Sequence, residues 1–247
     1  MAVDLMGLKK IIVGNHLIVE TREQQEEVIW EKWEKRDPKK VVRDGIINED
    51  MWEKCMWEKS PVKVLFLLKE PTECNDSDLR KYFQKNPVPK ARIVQNIARW
   101  SYGISHGFPA FSDIESNNVE TNKAKLKEGL QSCAWVNLKK TPGGSRADMK
   151  EIKDVVNRMC EALTKQILII GPTHIICCGT GDLFKKCIAG NGWKWDNKDY
   201  FGKFKNTKVV LMKHPSSWQK DYMMYYALKG ILSAASEYWV DTENGSH

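Results

Sequence analysis

The chain has 247 residues, of which 42% are hydrophobic and 29% are charged, and its formal net charge is +7. This length and composition suit one large α/β domain and exclude a chain that is disordered throughout. The basic excess favours a polyanionic partner such as nucleic acid, although many enzymes are mildly basic. No apolar run approaches the roughly 20 residues that a membrane-spanning helix needs, so we expect a cytoplasmic protein without a membrane partner.

Cysteine spacing favours neither a disulfide framework nor a metal site. The chain has seven cysteines and no Cys-x-x-Cys pair, and Cys177 and Cys178 lie in an apolar run. Reduced thiols in a protein core are the expected state. Structural zinc and iron–sulfur sites need closely paired ligands. We therefore expect no metal site. We also expect a monomer.

The first quarter of the chain has a different composition from the rest. Residues 20–59 are rich in Glu, Lys and Trp, and Val28, Ile29 and Trp33 fall near helical spacing. We predict an N-terminal helical extension over residues 1–60, packed on a domain that spans residues 61–240. Residues 241–247 are expected to be a frayed tail.

Four short apolar runs, 62–68, 133–136, 174–178 and 209–212, predict the strands of the domain. They are continuous rather than alternating, which is typical of strands covered on both faces of a parallel sheet. Helical patterning covers 79–100, 123–131, 148–169 and 222–238, with Asp148 as N-cap and Gly171 as a stop. This order predicts an α/β fold: a three-layer αβα domain with a central, mostly parallel, four-stranded sheet.

Each predicted strand ends in residues that carry chemistry. Ligands of open α/β sheets bind beyond the carboxyl ends of the strands. The four segments at these ends are Glu70-Pro71-Thr72, Asn137 with residues 139–146, Gly179-Thr180-Gly181, and His214-Pro215-Ser216. We therefore expect a functional site at this edge of the sheet.

The order of these segments resembles the uracil-DNA glycosylase superfamily. Glu70-Pro71 matches the family's first motif, an acid or amide before proline, although Asp or Asn is commoner there. Asn137 matches the asparagine that reads the flipped pyrimidine, and His214-Pro215-Ser216 matches the last motif. Leu68 stands where a glycine is usual.

The resemblance implies a monofunctional DNA glycosylase that needs no cofactor. Glu70 would orient water and stabilise the oxocarbenium-like sugar, as carboxylates do in glycoside hydrolysis. His214 would donate a hydrogen bond to the departing base, Asn137 would pair with its edge, and Phe111 is a candidate to stack on it, with core packing as the alternative.

DNA is the partner that this resemblance implies, with the target base flipped out of the helix. Trp218 would enter the vacated stack; packing against the last helix is its alternative role. The other predicted DNA-binding residues lie in the loops after the second and fourth strands, where they would contact phosphates or add positive charge nearby: Lys139, Lys140, Gly144, Ser145, Arg146, Ser216 and Ser217.

Thr72 bears on the choice of base. In strict uracil-removing members a tyrosine follows the acid–proline pair and blocks a 5-substituent. Threonine at this position predicts a 5-modified pyrimidine, such as some phages carry, and hence a repair or defence enzyme.

Two other functions stay open: a non-catalytic DNA-binding or sensor module on the same fold, and a nucleotide hydrolase that uses Gly179-Thr180-Gly181. The sequence lacks a full phosphate-binding motif for the latter.

Overall fold

The structure is a computed structural model that describes residues 9–13, 16–37, 41–57, 60–72, 77–88, 90–115, 118–144, 146–190, 193–195 and 200–244. The described strands are β1 (Lys9–Val13), β2 (His16–Glu20), β3 (Gly45–Ile46), β4 (Met56–Trp57), β5 (Ser60–Pro61), β6 (Val64–Leu68), β7 (Cys133–Asn137), β8 (His174–Cys178), β9 (Trp193–Trp195), β10 (Phe201–Phe204) and β11 (Thr207–Met212). Strands β1 and β2 pair with each other, as do β4 and β5.

The main sheet is mostly parallel and has the strand order β3-β7-β6-β8-β11-β10-β9. Its centre is β7-β6-β8-β11, in which all neighbours are parallel, and these are the four strands that the apolar runs predict. The predicted total of four is wrong, because antiparallel β3 extends one edge and β10 with β9 the other. Strand β3 has only two residues, and β10 has the sequence FGKF, so neither forms an apolar run.

The described helices are α1 (Arg22–Arg36), α2 (Glu49–Lys54), α3 (Leu79–Lys85), α4 (Arg92–Ser105), α5 (Phe111–Ile114), α6 (Val119–Gln131), α7 (Met149–Ile170), α8 (Gly181–Leu183) and α9 (Asp221–Asn244). A π-helical segment, Phe184–Ala189, follows α8. No helix in the described ranges is long and apolar enough to cross a bilayer.

Helix boundaries agree with the sequence where caps are strong. The Asp148 side chain accepts hydrogen bonds from the Lys150 and Glu151 N–H groups, and α7 ends at Gly171, whose φ is +62°. The helix predicted over 79–100 is instead two helices, and Pro87 lies between them, where its missing N–H disfavours a continuous helix. Residues 241–244 are the last positions of α9, and residues 245–247 lie outside the described residues, so the frayed tail stays a prediction.

Helices cover both faces of the sheet. On one face of the sheet, Phe66 belongs to the same core as Trp100 of α4 and Tyr225 of α9. Leu67, which points to the opposite face, packs with Trp30 of α1 and residues of α7. The N-terminal extension is not confirmed, because the described part of residues 1–60 supplies β3 to the sheet and buried tryptophans to this second core.

Candidate functional site at the carboxyl ends of the parallel strands

Backbone hydrogen bonds join the strand-end loops in two pairs. The Lys139 N–H donates to the Lys69 carbonyl at 2.9 Å, and the Gly143 N–H donates to the Pro71 carbonyl at 3.0 Å. The Gly179 N–H donates to the Met212 carbonyl at 2.7 Å. The loop after β6 thus lies against the loop after β7, and the loop after β8 lies against the end of β11.

Glu70 is a buried carboxylate held by a lysine. Its Oε2 is 2.8 Å from Lys139 Nζ, which lies at the same distance from Oε2 of Glu151. The Glu70 and Lys139 side chains are 7% and 5% exposed. Burial alone lowers the pKa of Lys139, but its ion pairs with Glu151 and Glu70 outweigh this and raise it. Lys139 therefore positions Glu70, and the DNA-binding role predicted for it is not supported.

Gly143 forms the surface against which the Glu70 carboxylate packs. A Cβ atom at position 143 would lie 2.0 Å from the carboxyl carbon of Glu70. No side chain other than hydrogen fits there without displacing the acid. The adjacent Gly144 is exposed, and a Cβ atom at that position meets nothing within 4 Å.

His214 has a defined tautomer when it is neutral. The Ser216 backbone N–H donates to His214 Nδ1 at 3.3 Å, and the Ser216 Oγ lies 2.8 Å from the same atom. A backbone N–H only donates, so Nδ1 is the acceptor and the ring proton is on Nε2. The imidazole then has one hydrogen-bond donor to offer a ligand, the Nε2–H.

Lys69 lies beside His214, and the sequence analysis did not select it. Gly179 has a φ of +69°, and a Cβ atom there would lie 3.6 Å from His214 Cβ and 3.7 Å from Lys69 Cε. The Lys69 chain therefore passes over this glycine next to the histidine. Burial lowers the pKa of His214, and the Lys69 ammonium lowers it further. The feature of the sequence that could have identified Lys69 is its position between β6 and Glu70.

We expect the Lys69→Met substitution to raise the pKa of His214, because the nearby positive charge is lost. Nuclear magnetic resonance titration of the imidazole should give a wild-type pKa below the ordinary value of about 6.5. As the pH falls through that value the ring protonates and loses the hydrogen bond from Ser216. In Lys69→Met this transition should move to higher pH. Lys153→Met, which removes an exposed charge on α7, should leave the titration unchanged; an equal shift in both variants would contradict the assignment.

Helix α4 holds the His-Pro-Ser turn in place. The Ser217 N–H donates to the His214 carbonyl at 2.9 Å, and Asn96 Nδ2 donates to the Pro215 carbonyl at 2.8 Å. Arg92 donates to the Ser217 carbonyl at 2.8 Å. The sequence analysis missed this support. Arg92, Asn96 and Arg99 recur at i, i+4 and i+7 in an apolar helix, which was the available signal.

Asn137 and Lys140 belong to a buried polar cluster around Asp44. Lys140 Nζ is 2.7 Å from Asp44 Oδ1, and its side chain is fully buried. Burial lowers the pKa of Lys140 in spite of this ion pair. Lys140 is therefore not available to DNA, and that prediction is wrong. Asn137 Nδ2 donates to Asp44 at 3.3 Å, whereas its buried Oδ1 has no partner among the described residues. Base recognition by Asn137 stays a prediction.

The remaining predicted residues differ in their surroundings. Phe111 packs against Tyr222 and Tyr225 of α9, with ring centroids 6.4 and 5.6 Å apart, which is the packing role rather than a base-stacking position. The Ser217 hydroxyl is 3.8 Å from Met224 Sδ. Ser145 lies outside the described residues. The exposed members are Thr72, Gly144, Arg146, Ser216 and Trp218.

The Gly179-Thr180-Gly181 turn is filled by protein contacts. The buried Thr180 hydroxyl donates to the Leu67 carbonyl at 2.9 Å. A Cβ atom at Gly181 would lie 2.9 Å from a methyl group of Leu211. These contacts explain the composition of the turn by packing and weaken its interpretation as a nucleotide-phosphate cradle.

No protein-family model matches the chain, and no curated protein matches it in sequence. The resemblance to the uracil-DNA glycosylase superfamily therefore stays a prediction from the motif residues. In the part of the chain that the structure describes, no group of three or more His, Cys, Asp and Glu residues is arranged to hold a metal ion.

Proposed function

We propose that this protein is a monofunctional DNA glycosylase of the uracil-DNA glycosylase superfamily that hydrolytically releases a flipped pyrimidine base. The observation that carries the proposal is the loop after β6. Its Glu70 is a buried carboxylate on one side, and its Lys69 lies beside His214 on the other. One loop thus supplies the Glu70 carboxylate and also the Lys69 ammonium, which lies next to the hydrogen-bond donor His214.

This arrangement matches the charges that develop when an N-glycosidic bond breaks. The sugar becomes positive, and the Glu70 carboxylate stabilises it and orients the attacking water. The base becomes negative, and the Nε2–H of His214 donates to its oxygen while Lys69 contributes positive charge nearby. Water adds to C1′ of the sugar, its proton passes to solvent through Glu70, and the base leaves with the bond electrons.

Base release from oligonucleotides tests the proposal against its two alternatives. Strands carrying uracil, thymine and 5-modified pyrimidines are incubated with the protein and then treated with alkali, which cleaves abasic sites. Cleavage supports the glycosylase. Binding without cleavage of any strand supports a DNA-binding or sensor module, and hydrolysis of free nucleotides without either supports the nucleotide hydrolase.

Thr72→Tyr is expected to restrict the proposed pocket. Thr72 is exposed directly after Pro71, at the position where strict uracil-removing members of the resembled family have tyrosine. We expect wild-type protein to release 5-hydroxymethyl-pyrimidines faster than uracil, and Thr72→Tyr to slow that release about tenfold or more, an effect of one pocket wall. Thr72→Val, of similar size, is the control. This preference would be contradicted if uracil were much the best substrate and Thr72→Tyr left the release rates unchanged.

A further inference from the structure

A row of large apolar side chains is exposed next to the His-Pro-Ser turn. Trp218, Tyr222, Met223 and Tyr226 are 88%, 51%, 51% and 44% exposed. We call these four residues the aromatic strip. They are four of the ten exposed large hydrophobic side chains among the described residues, yet they lie within nine consecutive positions. Such clustering marks an interaction surface more often than scattered exposure does.

Contacts with Phe111 and with buried Tyr225 hold the two tyrosines of the strip in place. The Tyr226 hydroxyl accepts a hydrogen bond from the Phe111 N–H at 3.0 Å, and the Tyr226 ring lies 5.4 Å from that of buried Tyr225. Phe111 also packs its ring at 6.4 Å from Tyr222. Rings that are already held lose little conformational freedom when a ligand stacks on their open faces.

The chain segment that carries the strip has an excess of positive charge. Lys213, Lys220 and Lys229 are exposed along residues 213–236, in which Asp221 is the one acid, and the exposed Asp113 of α5 adds a second acid nearby. Asp221 is already bound, because its carboxylate oxygens lie 2.7 Å from Arg92 and 3.5 Å from Arg99. The three lysines therefore outnumber the remaining acid, and flat rings beside an excess of positive charge complement a polyanion that has flat bases.

We propose that the aromatic strip binds unpaired nucleotides of a DNA strand on one side of the nucleotide held in the candidate site. This inference rests on the proposed function for the identity of the ligand and adds a substrate class, single-stranded or locally opened DNA. In a duplex the base faces are covered by their neighbours, so open rings have nothing to stack on. An unpaired strand offers both its base faces and its phosphates.

Binding of an oligonucleotide without any modified base tests the proposal. Fluorescence anisotropy with a labelled mixed-sequence strand and with its duplex should show tighter binding of the single strand. Tyr222→Ala should weaken single-strand binding roughly tenfold, the effect of losing one stacking partner. Tyr222→Phe keeps the ring and should bind as wild type does, and both variants are checked for unchanged thermal unfolding.

Three results would overturn the proposal. The first is equal affinity of the wild-type protein for single strand and duplex. The second is an equal loss of affinity in Tyr222→Ala and Tyr222→Phe. The third is self-association that Tyr222→Ala abolishes, since a second copy of the chain would then cover the strip. The labelled strand has no target base, so the binding results do not depend on base release. Base release tests the proposed function separately.

Discussion

Glu70→Gln is expected to lower the single-turnover rate of base release by roughly a hundredfold or more, about 3 kcal/mol of barrier. The amide keeps the size of the side chain and an oxygen for Lys139, but it removes the negative charge that stabilises the sugar. Glu120→Gln, at a surface carboxylate paired with Lys123 on α6, is the matched control and should retain the wild-type rate.

His214→Ala should produce a loss of similar size, because the donor to the departing base is removed. The His-Pro-Ser turn is also held by Asn96 and Arg92, so the variant is expected to keep its fold. Circular dichroism and thermal unfolding check this. A near-normal single-turnover rate in either Glu70→Gln or His214→Ala would remove that residue from the chemistry.

Gly143→Ala is expected to be nearly as damaging, although it adds only a methyl group. That methyl would lie 2.0 Å from the Glu70 carboxyl carbon, so the acid must rotate away from Lys139 or the loop must move. The rate of base release at saturating DNA should fall about a hundredfold, as in Glu70→Gln. Gly144→Ala, in the same loop, meets nothing within 4 Å and keeps its backbone N–H, so the rate at saturating DNA should change little.

A double-mutant cycle shows whether Gly143 acts through Glu70. If the methyl group only displaces the carboxylate, Glu70→Gln combined with Gly143→Ala should be no slower than Glu70→Gln alone. Losses that multiply in the double variant would mean that Gly143→Ala damages the site by another route, and the positioning role of this glycine would have to be abandoned.

The parallel centre of the fold was predictable, because strands covered on both faces read as continuous apolar runs. The caps of α7 were predictable for a similarly local reason: Asp148 and Gly171 each suit one special backbone position. Strand β3 was not predictable, since a strand of two residues is too short to show a periodic pattern of apolar residues. Its pairing with β7 depends on the packing of the whole chain.

The candidate site was predictable as a place but not in its contacts. Lys139 and Lys140 are neighbours of the same residue type, yet one bonds Glu70 and the other bonds Asp44, 96 positions away in the chain. Nothing local distinguishes them, because successive side chains after a strand leave in different directions. The place of Lys69 beside His214 likewise depends on Gly179, which comes from a third strand end.

The most direct test of the central claim is mass-spectrometric detection of both products after wild-type protein acts on strands carrying uracil, thymine or 5-modified pyrimidines. The proposal predicts a free pyrimidine and an uncleaved abasic strand in equal amounts from at least one of these, with a rate that falls at least a hundredfold in Glu70→Gln. Release of no base from any strand, by protein that binds the same DNA, would contradict it.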